Sequence, residues 1–238
     1  RSLLGNSNIS EYIIKWKTEI NQSGFDYLFI DLGSKIDDEM LNILNLVDFN
    51  VIFTNPDPIS MEKSNLLMKI IFNQRLKLFE DKNKLHGVTQ NIRRTHQDMI
   101  FTPRNLLLLM AEQLPKMKQA ITEIIAGISI GVVFNNVKNA SDSEIIDFYP
   151  HVVKNYFGFD IKHLGEISYS ELVANSASTM TPFVTNEKSS EFIDIMISMD
   201  RKITDFLSKD INKRYSNNAL TPFNFYEMIG MDKGTSTS

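Results

Sequence analysis

The 238-residue chain carries 25 Lys and Arg against 29 Asp and Glu, a net charge of −4, so no overall field draws it to nucleic acid. It has no cysteine, which excludes a disulfide framework and a thiolate metal site and fits a reducing cytoplasm. Hydrophobic residues make up 42%, enough for one sizeable α/β core, and no apolar run approaches the roughly 20 residues that span a bilayer.

The opening Arg-Ser-Leu-Leu-Gly-Asn lacks the basic-then-apolar pattern of a signal peptide. Over residues 10–20, Tyr12, Ile13, Trp16 and Ile20 recur at helical spacing, with Ser10 as N-cap and Glu11 in the first turn. Gly24 ends that helix. Tyr27, Leu28, Phe29 and Ile30 then form a short apolar run rich in strand formers, closed by Asp31, with Gly33 two residues later. A helix from Asp37 or Asp38 through Met40, Leu41, Ile43, Leu44 and Val47 leads to a second run, Val51-Ile52-Phe53, closed by Thr54, Asn55 and Pro56. Runs apolar on both faces predict parallel strands buried between helix layers. A strand–helix–strand unit of this kind is a right-handed crossover. Functional groups in such sheets gather past the carboxyl ends of the strands, where Asp31, Gly33, Asn55 and Asp57 fall.

Ser60 is the expected N-cap of a long helix whose buried stripe is Leu67, Ile70, Ile71 and Phe72. Between Ser60 and Arg104 there are nine Lys or Arg and four Asp or Glu, a locally basic stretch whose simplest reading is a solvated helix face. Residues 82–100 are polar with little periodicity and read as an excursion from the core. His86 and His96 lie there without a companion at ligand spacing. Thr102-Pro103 is a clean helix start, and Pro115 opens a further helix towards Ala126.

Residues 128–134 form the next apolar run and end on Asn135-Asn136. An amide offers a donor and an acceptor side by side, which matches the N6 and N7 edge of adenine; a turn Asn is equally common after a strand. Ser141-x-x-Glu144 reads as a capping box for a helix ended by Gly158, with Pro150 expected to bend it. Residues 161–167 form the last strand, and Ser168-x-x-Glu171 can cap the helix after it. Residues 187–211 form a terminal amphipathic helix. The segment 212–238 is a tail, short for a membrane-targeting helix and without a basic face.

Asp-Leu-Gly-Ser at Asp31, Thr-Asn-Pro-Asp at Thr54, the strand ending on Asn135, and Leu-Gly-Glu-Ile-Ser-Tyr-Ser at Leu164 form four ordered landmarks, each at a strand end. Together they resemble the MinD/ParA family of P-loop ATPases. The resemblance spans about residues 25–207. The fold it implies is α/β, a mostly parallel sheet flanked by helices in three layers, over residues 1–211, with a helical insertion at about 80–126. That insertion resembles the flagellar-number regulators of the family. The resemblance implies that Asp31 is the Walker B acid, held through water to the magnesium of ATP. It implies that Gly33 belongs to switch II, that Asn55 and Pro56 form the loop after the next strand, and that Asn135, Ser168 and Ser170 surround the adenine. Homodimerisation on ATP binding, flagellar assembly or regulatory partners, and a cytoplasmic location, peripheral to the membrane at most, are the further implications.

The chain departs from that pattern. No Gly-Lys pair occurs in it, so the N-terminal strand and P-loop of the family are absent from these residues. Lys35 replaces the second switch glycine, and Ser168 and Ser170 stand where the family has Pro and Asp. The expected function is an ATP-dependent spatial switch carried here in part, not expected to hydrolyse ATP by itself. The alternative is a nucleotide-free scaffold on the same fold. For Asp31 alone, a plain turn cap remains the competing role.

Overall fold

The computed structural model describes residues 15, 19, 27–33, 40, 41, 43, 44, 47–180 and 190–216. The chain divides into two units, Arg1–Asp48 and Phe49–Ser238.

In the first unit, Lys15 and Glu19 are helical and form an ion pair of 3.7 Å, one turn apart. Met40, Leu41, Ile43 and Leu44 are helical too, and Met40, Ile43 and Leu44 are buried, the i, i+3, i+4 stripe expected for this segment. The expected strand at residues 27–30 does not form. Tyr27, Leu28 and Phe29 are exposed, Phe29 by 74%, and the backbone there is irregular. Four apolar residues have strand propensity but no independent stability, because a strand exists through its ladder partners. Trp16, Lys35, Pro182, Phe183 and the tail beyond residue 216 lie outside the described residues.

The second unit holds three parallel strands, β1 (Asn50–Thr54), β2 (Ile130–Val137) and β3 (Lys162–Ser168), in the order β1-β2-β3. The class is therefore α/β with a parallel sheet. Adjacent strand residues face opposite sides of a sheet. Val133 packs with Leu164 and Met199 of α7 (Ser190–Ser216). Its neighbour Phe134 meets Tyr149 of α5 (Ala140–Phe157) edge to face, at 5.7 Å between ring centres. The two helices thus cover opposite faces. α7 comes close at Gly165, where a β-carbon would stand 2.9 Å from Met199, and Gly131 makes room for Leu164, which a β-carbon there would approach to 2.5 Å. β1 pairs with β2 through Asn50, whose N–H donates to Ser129. By the alternation of a parallel ladder, Val51 and Phe53 turn their backbone groups to the opposite edge, which no described strand occupies.

Between β1 and β2 lies a helical layer: α1 (Pro58–Lys82), α2 (Val88–Thr95), α3 (Pro103–Gln113), a 3₁₀ turn (Pro115–Met117) and α4 (Lys118–Ala126). Its core is Met68, Ile71, Phe72, Leu76 and Phe79 of α1 with Ile92, Leu106, Leu107, Met110, Ile121 and Ile124. Leu67 and Ile70 are only half-buried, so the stripe of α1 is rotated from the expected one. The polar stretch at 82–100 contains a helix after all. Glu80 at the end of α1 accepts the Thr89 N–H at 2.8 Å and the Thr89 hydroxyl, which anchors α2, and Ile92 alone reaches the core.

Two caps differ from expectation. α1 starts at Pro58, and Asp57, not Ser60, is its N-cap: the Asp57 carboxylate accepts the Ser60 N–H at 2.9 Å. Proline at the first helical position needs no N–H partner, so the helix begins as early as Pro58 allows. α5 starts on Asn139 rather than Ser141. Asn139 accepts the Asp142 N–H at 3.1 Å and Asp142 accepts the Lys138 N–H at 2.7 Å, a reciprocal pair that satisfies two orphan donors. α5 runs on through Pro150 to Gly158, whose φ of +89° ends it. Thr102 caps α3 as the sequence indicates, at 3.1 Å from the Asn105 nitrogen.

Candidate functional site

The carboxyl ends of the three strands form one rim. At the end of β1, Thr54 is buried, Asn55 half-buried and Pro56 buried. Pro56 and the Asp57 cap hold the turn between strand and helix, so the Asn55 side chain has a fixed origin. At the end of β2 the ladder slips between Asn135 and Val137. Asn136 is the extra residue, and its φ of +58° places it in the left-handed region. Asn enters that region more readily than other non-glycine residues, because its short amide bonds locally. The Asn136 Nδ2 donates to Asn55 Oδ1 at 3.3 Å, tying the ends of β1 and β2 together.

Asp57 extends this polar chain. Its carboxyl is held below the ordinary carboxylate value, chiefly by the Ser60 backbone N–H and then by the Ser60 hydroxyl. Burial opposes this, and the Ile59 N–H and the Asn55 amide add smaller stabilisation. Asp57 thus keeps a negative charge close in sequence to Asn55 of the Asn55–Asn136 pair.

At the end of β3, Ser168 pairs with Val137, and the Tyr169 N–H donates to the Val137 carbonyl at 2.9 Å. This bond carries the β2–β3 pairing one step past the strand. Tyr169 is half exposed, and the Lys138 ammonium sits 5.3 Å from its ring centre. Beside them opens a cavity of about 450 Å³, lined among others by Lys138, Asn139, Glu166, Ser168 and Tyr169. That is within the usual range of small-ligand pockets. Ser170 lies at the mouth of α6 (Glu171–Thr179), its carbonyl accepting the Val173 N–H at 3.2 Å. The helix opens two residues later than a cap on Ser168 would require.

Asp31 and Gly33 belong to the first unit and form their own motif. The Gly33 N–H donates to Asp31 Oδ1 at 2.9 Å, and Gly33 has a φ of +63°. This is the Asx-type turn that an Asp in this position makes on its own. Asp31 is exposed.

Asn55, Pro56, Asn135 and Ser168 thus share the strand-end rim, with Ser170 on the loop that leaves it. Asn135 is half-buried in the ladder opposite Ile167, and its neighbour Asn136 makes the bridge. Asn136, Lys138 and Tyr169 were missed by the sequence reading. The Asn-Asn doublet was the available signal for the first, since a second Asn after a strand marks a left-handed turn or bulge. His86 lies 3.4 Å from Asp81, and His96 bonds the Ile92 carbonyl at 3.0 Å. Among the described residues no three His, Asp or Glu side chains gather as a metal site, and no helix is long and apolar enough to cross a membrane.

The rim thus carries bonded amides at the ends of β1 and β2, and a cavity with an aromatic ring and an ammonium at the end of β3. Compared with known proteins, the chain matches no family model and no curated protein sequence.

Proposed function

We propose that this chain is the base-binding and switch-bearing part of an ATP-dependent molecular switch of the MinD/ParA type, acting in spatial organisation such as the number or placement of flagella. The observation that carries this reading is the Asn136–Asn55 bridge at the carboxyl rim of a parallel sheet, beside the Tyr169 cavity. Ligands of open α/β sheets bind at that rim. The residues present fit the base end of ATP: Asn55 and Asn136 offer amide donors and acceptors, and Tyr169 with Lys138 offers a ring face and a positive charge. Magnesium, when bound with ATP, supplies charge neutralisation at the phosphates. On this reading Asp31 would hold it through water, and Gly33 would permit close backbone approach to the terminal phosphate. The open edge of β1 would take a further strand, whose phosphate loop would then emerge at the same rim. The assembled switch would be a cytoplasmic homodimer when ATP is bound, with protein partners reading its state.

A second reading, a scaffold that has lost nucleotide chemistry, is favoured by a specific observation: the Asp31 carboxylate is engaged by the Gly33 N–H as an ordinary turn cap. Magnesium-dependent ATP turnover separates the two. The experiment uses a protein that contains these residues together with a phosphate-binding loop. Asp31→Ala is expected to abolish turnover while the circular dichroism spectrum is retained. Unchanged turnover in that variant would remove Asp31 from the mechanism. The 238-residue chain alone is expected to show no turnover.

A further inference from the structure

The opposite end of the sheet holds a second concavity that the nucleotide reading does not use. It lies where β3 begins, between Lys162 and α7, and has a volume of about 450 Å³. Lys202, Asp205, Phe206 and Lys209 line it at spacings i, i+3, i+4 and i+7, so they share one helix face. Lys162, His163 and Leu164 line it from the strand. Leu164 is buried, and Phe206 stacks on Phe49 with ring centres 4.7 Å apart, which fixes its position. The Lys162 ammonium sits 5.4 Å from the Phe206 ring centre.

Charge and partners decide what this surface suits. Three lysines from two elements line the concavity together with His163, and Asp205 is the one carboxylate in the lining. Among the described residues none of the three lysines forms an ion pair, although Asp205 shares their face. Three lysines against one carboxylate leave the lining positive, and an anion there is attracted to it. Lysine ammoniums act as point charges suited to phosphate or sulfonate oxygens. The buried Leu164 gives the lining an apolar part, and Phe206 adds an aromatic surface beside Lys162.

We propose that this concavity binds a small aromatic anion carrying two or more negative charges, with Lys162, Lys202 and Lys209 holding the anionic groups and Phe206 packing on the ring. The site is separate from the strand-end rim, so its ligand is independent of the adenine reading.

The test is isothermal titration of naphthalene-1,5-disulfonate into the intact chain, with inorganic pyrophosphate as the ring-free control. The wild-type chain is expected to bind one disulfonate, more weakly as salt is raised. The triple variant Lys162→Gln, Lys202→Gln, Lys209→Gln is expected to lose about tenfold or more in affinity. Phe206→Leu is expected to lose affinity for the disulfonate but not for pyrophosphate. The lysines are exposed, so the triple variant should keep its circular dichroism spectrum. No binding by the wild type, or equal binding by the triple variant, overturns the proposal. Equal loss of both probes in Phe206→Leu overturns the aromatic part of it.

Discussion

Asn136 reaches from the end of one strand to Asn55 at the end of the next, its Nδ2 donating to Asn55 Oδ1 at 3.3 Å. The contact joins residues 81 positions apart in the chain. It depends on a bulge that turns Asn136 into the left-handed region. Backbone conformation and side-chain chemistry can be separated there by substitution. Asn136→Gly keeps the backbone and removes the amide, so stability should hold within about 0.5 kcal/mol, because Gly adopts this φ freely. Asn136→Val should cost about 1–2 kcal/mol, since a β-branched side chain is strained at positive φ. Urea melts of the two variants check the difference.

Asp57 makes the start of α1 sensitive to acid. Its folded-state pKa is lowered, first by the Ser60 N–H. The unfolded carboxyl titrates at about 3.9. The stabilisation is therefore fully present above that value and is lost as the pH falls through the lower folded-state value. Asp57→Asn retains an N-cap and should remove only this acid-dependent part. Asp57→Ala should lower the melting temperature by about 2–4 °C at neutral pH. Thermal melts at pH 7 and below pH 4 distinguish the two variants.

Tyr149 is buried between α5 and the sheet, and its hydroxyl donates to Asn65 Oδ1 at 2.8 Å. Burial pushes its phenol pKa upward, so it stays protonated and keeps its donor throughout the range in which the protein is handled. Tyr149→Phe should cost about 1 kcal/mol, the net value of such a bond. Tyr149→Ala should cost about 3–5 kcal/mol by also leaving a cavity against Phe134. Denaturant midpoints at constant slope test both values.

Gly131 lies under Leu164 and Phe49, where a β-carbon would meet them at 2.5 Å and 2.7 Å. Gly131→Ala should destabilise by about 1–3 kcal/mol as the neighbours are displaced. Gly127→Ala is the control. Its β-carbon would stand 3.5 Å from Arg75, an ordinary contact, and the change should be nearly neutral. Parallel urea melts give the comparison.

The sheet was legible where apolar runs were long enough to pair. The three runs around Val51, Val132 and Leu164 became the three strands because each finds a ladder partner; only the central one, β2, is buried on both faces over most of its length, and Phe53 of β1 is exposed. The run at Tyr27 looked alike but is exposed, which local composition cannot reveal. Thr102-Pro103 was readable because cap and proline act within one turn. At Asp57 and Asn139 two capping residues competed three and two positions upstream, and the earlier one won by reaching an N–H first. α2 was hidden because only Ile92 is buried, and its anchor is Glu80, nine residues before Thr89 and on the preceding helix. At the rim, Asn55 and Asn135 were evident as strand-end amides. The bridge by Asn136 was not, because it depends on a register slip against β3 that no local pattern specifies.

The most direct measurement of the central claim is a titration of adenosine into the isotope-labelled chain, followed by amide resonance shifts. Adenine binding at the strand-end rim should give shifts confined to Asn55, Asn136, Val137 and Tyr169, and their loss in Asn136→Gly. No shifts up to the solubility of adenosine, or equal shifts in Asn136→Gly, would contradict it.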